Sequence, residues 1–226
     1  MLISGASRGI GRAIAERFHR RGWDVVGLAR HPADLPFPLL LCDLSQPEQL
    51  QATVAKAFLE VEGLQVLVNN AAVYDAIPWQ EQSLEAFRST MTVNAEAVYV
   101  TCGAFARELI ARGQPGSIVN VSSVSARIGS VDVAYTASKA ALEGMTKAFA
   151  RALAPEHIRV NAVAPGPVNT EMGERIPNDR QCEYKQTILQ SRFGEPEEVA
   201  NLVAFLAGEE ASLITGAVIP CDGGML

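Results

Sequence analysis

Residues 135–139, Tyr-Thr-Ala-Ser-Lys, place a phenol and an ammonium four positions apart. On a helix, Tyr135 and Lys139 would share one face. A free phenol has a pKa of about 10, and a nearby ammonium lowers it by favouring the phenolate. The pair therefore indicates proton transfer to or from an oxygen atom, although two solvated side chains on a helix surface would have the same spacing.

Ser122 and Ser123 end an apolar run that predicts a buried strand. A hydroxyl at that strand end could polarise a carbonyl oxygen together with Tyr135. Capping of the strand end is the other interpretation, and we expect it to hold for one of the two serines. The residues alone leave the choice between them open.

A glycine-rich turn, Ser-Gly-Ala-Ser-Arg-Gly-Ile-Gly at 4–11, lies between a predicted strand and a predicted helix. Gly5, Gly9 and Gly11 allow a tight turn and a close approach of the backbone to a ligand. The N–H groups at the start of the helix would face an anion, so the turn predicts phosphate binding, with a plain turn as the alternative.

Asparagines mark two further positions. Asn69 and Asn70 begin the segment Asn-Asn-Ala-Ala at 69–72, where they could tie neighbouring strand ends together, line a ligand cleft or form an Asx turn. Asn94 lies inside a helical pattern, although asparagine is a mediocre helix former. It predicts a kink or a bound water, unless it is simply exposed.

Composition excludes several classes of protein. The chain has 226 residues and a formal net charge of −6, which argues against a nucleic-acid partner. No apolar run approaches the ~18 residues of a transmembrane helix, and no signal-peptide pattern is present, so no membrane partner is expected. The four cysteines lie far apart, without CxxC pairs, and predict free thiols in a reducing cytoplasm and no metal site.

Short apolar runs alternate with helical patterns along the chain. This predicts an α/β fold, a three-layer, Rossmann-like, doubly wound parallel sheet of about seven strands in one domain, residues 1–226. Ligands bind beyond the carboxyl ends of such strands. The predicted strands cover residues 2–4, 24–29, 39–43, 65–70, 116–123, 158–165 and 216–220, and the predicted helices residues 11–22, 45–60 with Ser45 as N-cap, 83–112, 134–154 and 195–208.

One connection departs from this alternation. Residues 29–38 contain three prolines, which predict that the helix between strands two and three is lost or shortened. The second strand ends at Ala29, where a site for NAD(H) would carry a carboxylate for the ribose hydroxyls, and Arg30 is the next residue. An arginine there can pair with a 2′-phosphate, so NADP(H) is favoured over NAD(H), unless Arg30 and Arg8 are only solvated.

In this combination and order, the motifs resemble those of the short-chain dehydrogenase/reductase family over essentially the whole chain. Residues 4–11 resemble its TGxxxGxG turn, with Ser4 in place of threonine, and residues 69–72 resemble its NNAG, with Ala72 in place of glycine. Residues 164–172 are similar to the segment beside the nicotinamide, and residues 192–224 to the family's usual ending. General similarity is closest to 3-oxoacyl-carrier-protein reductase-like members.

The resemblance implies a catalytic set of Asn94, Ser123, Tyr135 and Lys139. Tyr135 would give a proton to the developing alkoxide, Ser123 would hold that oxygen, and Lys139 would lower the tyrosine pKa and bind the nicotinamide ribose. Asn94 would hold a water that links Lys139 to solvent. Ser123 is chosen because the second serine of the family's pair is the usual catalytic one, although its separation from Tyr135 is one residue shorter than is commonest.

The resemblance further implies an NADP(H)-dependent enzyme that transfers hydride reversibly between nicotinamide and a ketone or secondary alcohol. The alternatives are an NAD-dependent alcohol or dihydrodiol dehydrogenase and a non-catalytic dinucleotide sensor. A homotetramer or homodimer is expected, with a substrate lid around 167–192 whose apolar wall comprises Met172, Ile176, Tyr184, Ile188 and Leu189. The cofactor-binding residues expected are Gly5, Ser7, Arg8, Gly9, Ile10, Gly11, Arg30, Asp43, Asn70, Ala71, Ala72, Tyr135, Lys139, Pro165, Gly166, Val168 and Thr170.

Overall fold

A computed structural model describes residues 1–176 and 178–226, with the side chains of 178 and 179 also left aside. Within the described residues, one parallel sheet has the strand order 3-2-1-4-5-6-7. The predicted Rossmann-like sheet is thereby confirmed. Its strands are β1 (Leu2–Ser4), β2 (Val26–Ala29), β3 (Leu39–Leu41), β4 (Val66–Asn69), β5 (Gly116–Val121), β6 (Ile158–Pro165) and β7 (Val218–Cys221).

Helices cover both faces of the sheet, because successive side chains of each buried strand point to opposite sides. The helices are α1 (Gly9–Arg20), α2 (Leu50–Glu60), α3 (Leu84–Met91), α4 (Ala97–Ala111), α5 (Ser125–Ile128), α6 (Val133–Leu153), α7 (Asn178–Thr187) and α8 (Pro196–Ala207). Ile3 packs on the side of α1 and α8, whereas its neighbour Leu2 packs on the side of α2, α4 and α6.

The chain leaves β1 toward one edge of the sheet and returns to begin β4 on the other side of β1. A crevice opens at the carboxyl ends of two such strands, because their connections run in opposite directions. The glycine turn follows β1, and residues 70–72 follow β4. The topology therefore brings two of the predicted motifs to the same point of the sheet.

The predicted loss of a helix between β2 and β3 is confirmed. Residues 30–38, all of them described, contain no helix. Phe37 from this loop is only 7% exposed and joins the core beside α1, and Leu35 packs against the same cluster. The loop thus covers the apolar surface that a crossover helix would otherwise cover.

One local prediction, that of Ser45 as a helix N-cap, was wrong, and some details of the helices were missed. The helix expected over 83–112 is divided by a π-helical turn, Thr92–Glu96, between α3 and α4. Ser45 is not a helix N-cap: its N–H donates to the Asp43 carboxylate at 2.9 Å, and a 3₁₀ turn, Pro47–Gln49, precedes α2. The short helices α5 and α7 had no clear signal, since α5 has four residues and α7 little apolar periodicity.

Among the described residues, no helix has both the length and the apolarity that crossing a membrane would require.

Candidate active site

A cleft of about 930 Å³ lies at the carboxyl ends of the strands. Its wall includes every predicted site residue except Asn94, so side chains from distant parts of the sequence meet in one place. The predicted residues that line it are Gly5, Ser7, Arg8, Gly9, Ile10, Gly11, Arg30, Asp43, Asn70, Ala71, Ala72, Ser123, Tyr135, Lys139, Pro165, Gly166, Val168 and Thr170.

The glycine turn forms one wall of the cleft, with α1 beginning at Gly9. Gly9 has a φ of +53°, which favours glycine, and a Cβ added to Gly11 would collide with the carbonyl of Gly5 and the side chain of Asn70. The turn therefore depends on the absence of these side chains. The unpaired N–H groups of the first helical turn, together with the helix dipole, suit this wall to a phosphate.

The two asparagines at the end of β4 have different structural roles. Asn69 is buried, and its side chain donates to Asn120 Oδ1 at 2.9 Å and accepts from Thr101 at 2.7 Å. Asn70 donates to the carbonyls of Ser4 at 3.1 Å and Gly5 at 3.3 Å. Asn69 thus joins β4 to β5, and Asn70 fixes the glycine turn.

The floor of the cleft is formed by the first two turns of α6, which present Tyr135 and Lys139. Lys139 is 2% exposed, and its ammonium lies 5.6 Å from the centroid of the Tyr135 ring. In the described chain its Nζ donates to the carbonyl of Val121 at 2.7 Å. An ammonium carries three donors, so the remaining ones suit the hydroxyls of a ligand such as a ribose.

Burial shifts the pKa of both groups. Burial raises the pKa of Tyr135 to about 12, against a smaller lowering by the Ser123 hydroxyl. Burial lowers the pKa of Lys139 to about 7. The expected lowering of the tyrosine pKa by Lys139 is thus not seen, since desolvation dominates and also weakens the charge of the lysine. Around neutral pH the Tyr135 phenol is protonated.

The two serines after β5 also differ. Ser122 is buried, and its hydroxyl donates to the backbone carbonyl of Lys139 at 3.1 Å, which links β5 to α6. The Ser123 oxygen accepts the N–H of Ser125 at 3.2 Å, and its proton remains free to donate. Ser123 lies beside Tyr135 in the cleft, and its hydroxyl is close enough to that phenol to lower the pKa of Tyr135.

Asn94 lies in the π-helical turn and is fully buried. Its amide nitrogen donates to the carbonyl of Val73 at 2.9 Å and to Ser138 at 3.1 Å, and its amide oxygen accepts the N–H of Val73 at 2.8 Å. The side chain therefore fixes the loop after β4 to α6. It does not line the cleft, where it was expected to hold a water.

At the far end of the cleft, Arg30 and His31 are exposed and face Asp43. The backbone N–H and hydroxyl of Ser45 lower the pKa of the Asp43 carboxyl, with smaller contributions from the charges of Arg30 and His31. Arg8 forms an exposed ion pair of 2.5 Å with Glu171, across the cleft mouth.

The end of the cleft opposite Arg30 is lined by residues that could hardly be selected from sequence patterns. The Tyr74 ring lies 4.8 Å from that of Tyr135, and Arg175 donates to the carbonyl of Tyr74 at 3.0 Å. The only available signal for Tyr74 was its place a few residues beyond the carboxyl end of β4. Arg175 also lies 3.7 Å from Asp75, so the segment after β6 contacts the loop after β4.

The segment 167–192 contributes Met172, Ile176 and Tyr184 to the cleft, as expected for an apolar wall. Two other residues assigned to that wall lie elsewhere. Ile188 is buried at 2% exposure and Leu189 is 84% exposed, because α7 ends at Thr187 and the chain turns back toward the sheet. Residue 177 and the side chains of 178 and 179 lie outside the described part of this segment.

Three comparisons with known proteins agree with this arrangement. A family model described as enoyl-(acyl carrier protein) reductase matches residues 5–226. L-xylulose reductase of Bos taurus is 39% identical over 236 residues, covering 100% of this chain and 95% of that protein. The 3-oxoacyl-acyl-carrier-protein reductase FabG of Aquifex aeolicus is 35% identical over 245 residues, covering 99% and 96%.

Among solved structures, the ligand-free aldohexose dehydrogenase of Thermoplasma acidophilum superposes with a TM-score of 0.89 at 37% sequence identity. The match covers 99% of this chain and 92% of that one. The relatives named here are thus reductases or dehydrogenases, and each aligns over nearly its full length.

Proposed function

Since the chain belongs to the short-chain dehydrogenase/reductase family of NAD(P)-dependent oxidoreductases, we propose that it transfers hydride reversibly between NADP(H) and a ketone or secondary alcohol. The observation that carries the proposal is the position of Tyr135, Ser123 and Lys139. They lie in the cleft that also holds the glycine turn. The nicotinamide would supply or accept the hydride, and the protein orients the substrate and handles the proton.

The proton chemistry follows from the groups around Tyr135. A protonated phenol donates to the oxygen of a carbonyl as that oxygen gains negative charge. The free hydroxyl proton of Ser123 holds the same oxygen, because the serine oxygen already accepts the N–H of Ser125. Lys139 would bind the ribose of the cofactor through the N–H groups that do not donate to the carbonyl of Val121. In the reverse direction, Tyr135 must first lose its proton.

The preference for NADP(H) rests on the end of β2. Ala29 takes the place of the carboxylate that an NAD(H) site would carry there, and the next residue, Arg30, is exposed at the cleft, where it can pair with a 2′-phosphate. Arg8 supports the assignment more weakly, because Glu171 competes for it. An NAD-dependent alcohol or dihydrodiol dehydrogenase is the second candidate, and Asp43 would then be available to the adenosine.

The cofactor assignment is tested by dissociation constants for NADPH and NADH, measured by quenching of protein fluorescence. We expect tighter binding of NADPH, and a loss of about tenfold for NADPH alone in Arg30→Ala, equivalent to one pair of about 1.4 kcal/mol. Arg151→Ala, an exposed arginine on α6, is the matched control. Tighter binding of NADH to the unaltered protein would contradict the preference.

The substrate is a small carbonyl or alcohol compound. The substrate end of the cleft combines Met172 and Ile176 with the hydroxyls of Tyr74, Tyr184 and Ser130, so both apolar and hydroxylated compounds are candidates. A panel of ketoses, aldoses and 3-oxoacyl thioesters, followed by NADPH absorbance in both directions, tests the reaction type. Tight cofactor binding with no turnover on any member would favour a dinucleotide sensor instead.

We further propose that the segment 167–192 closes over the substrate, since Arg175 and Glu171 both contact the opposite wall. A single cofactor-binding domain, a homotetrameric or homodimeric state and a cytoplasmic location complete the proposal. The location is supported by free thiols at all four cysteines, Cys42, Cys102, Cys182 and Cys221, as expected in a reducing compartment.

A further inference from the structure

The start of α6 contains a buried carboxylate that neither binds the cofactor nor belongs to the catalytic set. Asp132 is 1% exposed and is the N-cap of α6. Its Oδ1 accepts the N–H of Tyr135 at 3.0 Å and the side-chain amide of Gln82 at 2.7 Å. One oxygen thus contacts the backbone of Tyr135 and a residue 50 positions earlier.

Gln82 makes a second bond to the same helical turn. Its Oε1 accepts the N–H of Ala134 at 3.1 Å, while its amide nitrogen donates to Asp132. Two of the N–H groups that a helix start leaves unpaired are satisfied in this way. Gln82 therefore forms a two-point contact with the residues on either side of Val133, one turn from the phenol.

Gln82 ends the loop 72–82, which forms a wall of the cleft. The other end of this loop is fixed by the two hydrogen bonds between Asn94 and the backbone of Val73. Between these ends lies Tyr74, whose ring packs on that of Tyr135 at 4.8 Å. The loop thus contacts α6 directly at Gln82 and through the two aromatic rings, and indirectly at Val73, because Asn94 also donates to Ser138 of α6.

Asp132 is itself held in place by Ser130. The Ser130 hydroxyl accepts the N–H of Asp132 at 3.2 Å, donates to its carbonyl at 3.0 Å and lies 3.1 Å from the Thr136 hydroxyl. The carboxylate therefore has a fixed orientation toward Tyr135 and Gln82, and its charge remains beside the cleft.

We propose that Asp132 and Gln82 are positioning residues. They hold the Tyr135 phenol and the loop that carries Tyr74 in the relative position that proton transfer requires. The inference rests on the proposed function, because it assigns Tyr135 the proton. Burial is the main reason why the pKa values of Tyr135 and Tyr74 are raised. The charge of Asp132 adds a smaller increase to both. Among the described residues, Lys139 on α6 and Tyr74 on the loop also lie around the phenol, and Tyr184 on α7 lies near Tyr74.

Two variants separate geometry from charge. Asp132→Asn keeps the cap oxygen but removes the charge, so we expect the rise of alcohol oxidation with pH to begin at lower pH. Gln82→Ala keeps the charge but frees the loop, so kcat/KM should fall about tenfold or more, with little change in the pH profile. Ser83→Ala removes a neighbouring cap bond, from Ala86 N–H to the Ser83 hydroxyl at 3.1 Å, and should change neither quantity.

Wild-type activity and pH profile in both Gln82→Ala and Asp132→Asn would overturn the proposal. A second measurement needs no turnover: tyrosinate absorbance is titrated in each protein and in its Tyr135→Phe partner, and the difference reports Tyr135 alone. An unchanged Tyr135 titration in Asp132→Asn would refute the effect of charge. If the unaltered protein shows no hydride transfer on any substrate, the proposed function fails, and this titration still decides the effect of Asp132.

Discussion

Tyr135 and Lys139 have pKa values that one cause, burial, shifts in opposite directions. The phenol remains protonated to about pH 12, and the amine titrates near pH 7. This combination suits the reductive direction, in which Tyr135 must already carry the proton that it donates. Alcohol oxidation requires the phenolate, so we expect its rate to rise with pH across the alkaline range while reduction stays level near neutrality.

Replacing Tyr135 with phenylalanine tests the proton donor. The change removes the hydroxyl and keeps the ring, so we expect kcat to fall by about 10²–10⁴-fold or below detection. NADPH affinity should stay within about twofold of that of the unaltered protein, which is about 0.4 kcal/mol. Tyr99→Phe makes the same change on the exposed side of α4 and should leave kcat unchanged. A fully active Tyr135→Phe enzyme would remove Tyr135 from the mechanism.

Lys139 should destabilise the fold in a pH-dependent manner. Its pKa is lower in the folded state than in the unfolded state, so the unfolded chain binds more protons between about pH 7 and pH 10.5. Stability is therefore lost as pH falls through this window and levels off below pH 7. Lys139→Met abolishes the penalty, so it should raise the free energy of unfolding more at pH 7 than at pH 9, by on the order of 2 kcal/mol.

Denaturant unfolding at the two pH values measures this difference, and Lys147→Met, an exposed lysine on the same helix, is the control. An equal effect of Lys139→Met at both pH values would show that the lysine is charged in the folded protein. Activity should be lost in Lys139→Met regardless of the gain in stability, because the residue is placed for function.

The sequence was informative at single positions wherever the chemistry needs one residue type. Tyr135, Lys139, Gly9 and Gly11 could be selected from spacing and position alone, and all lie at the cleft. Tyr74 could not, because its role depends on where a loop carries it in space. The role of Asp132 could not be predicted either, since a carboxylate three residues before a tyrosine has the pattern of an ordinary helix cap.

The turn between β1 and α1 has almost no tolerance for a side chain at its last glycine. A Cβ on Gly11 would collide with the Gly5 carbonyl and the Asn70 amide, so Gly11→Ala must displace the turn. We expect a loss of stability of about 1–3 kcal/mol and at least a tenfold weaker affinity for NADPH.

Gly144→Ala provides the contrast. Gly144 lies inside α6, and a Cβ added there meets no described atom within 4 Å apart from its chain neighbours and the nearby backbone of its own helix. Alanine is the better helix former, so this variant should gain about 0.5–1 kcal/mol and bind NADPH normally. Denaturant midpoints and NADPH titrations of both variants are compared directly. Equal tolerance at the two positions would show that the turn rearranges easily.

Helices and strands were predictable where periodicity and burial act over several residues. The strands and the long helices were located to within about two residues, apart from the start of α2, which lies five residues later than predicted, because apolar runs and glycine stops are local signals. The π turn at Thr92–Glu96 was predicted only as a kink or a bound water at Asn94, because the bond from Asn94 to Val73 joins residues that lie 21 positions apart in sequence. The loop 30–38 was predictable because proline acts through its own backbone.

Two exposed apolar surfaces are relevant to the proposed oligomer. On α4 and α6, Tyr99 is 61% exposed and its ring lies 6.0 Å from that of Phe149. On the far side of the sheet, beside the edge strand β7, Phe205 is 41% and Leu213 is 97% exposed. An apolar face and a strand edge are both surfaces that association would cover. Two separate surfaces of this kind are what a tetramer with two different interfaces requires.

Sedimentation at several concentrations tests this assembly, because each interface can be disrupted by one charge. We expect the unaltered protein to sediment as a tetramer, and Tyr99→Lys and Leu213→Lys each to sediment as a dimer, since each leaves the other interface intact. Leu59→Lys, at an 83% exposed position on α2, which contributes to neither surface as defined above, should remain tetrameric. A monomer for the unaltered protein would contradict the proposal. A dimer disrupted by only one of the two substitutions would reduce it to that interface.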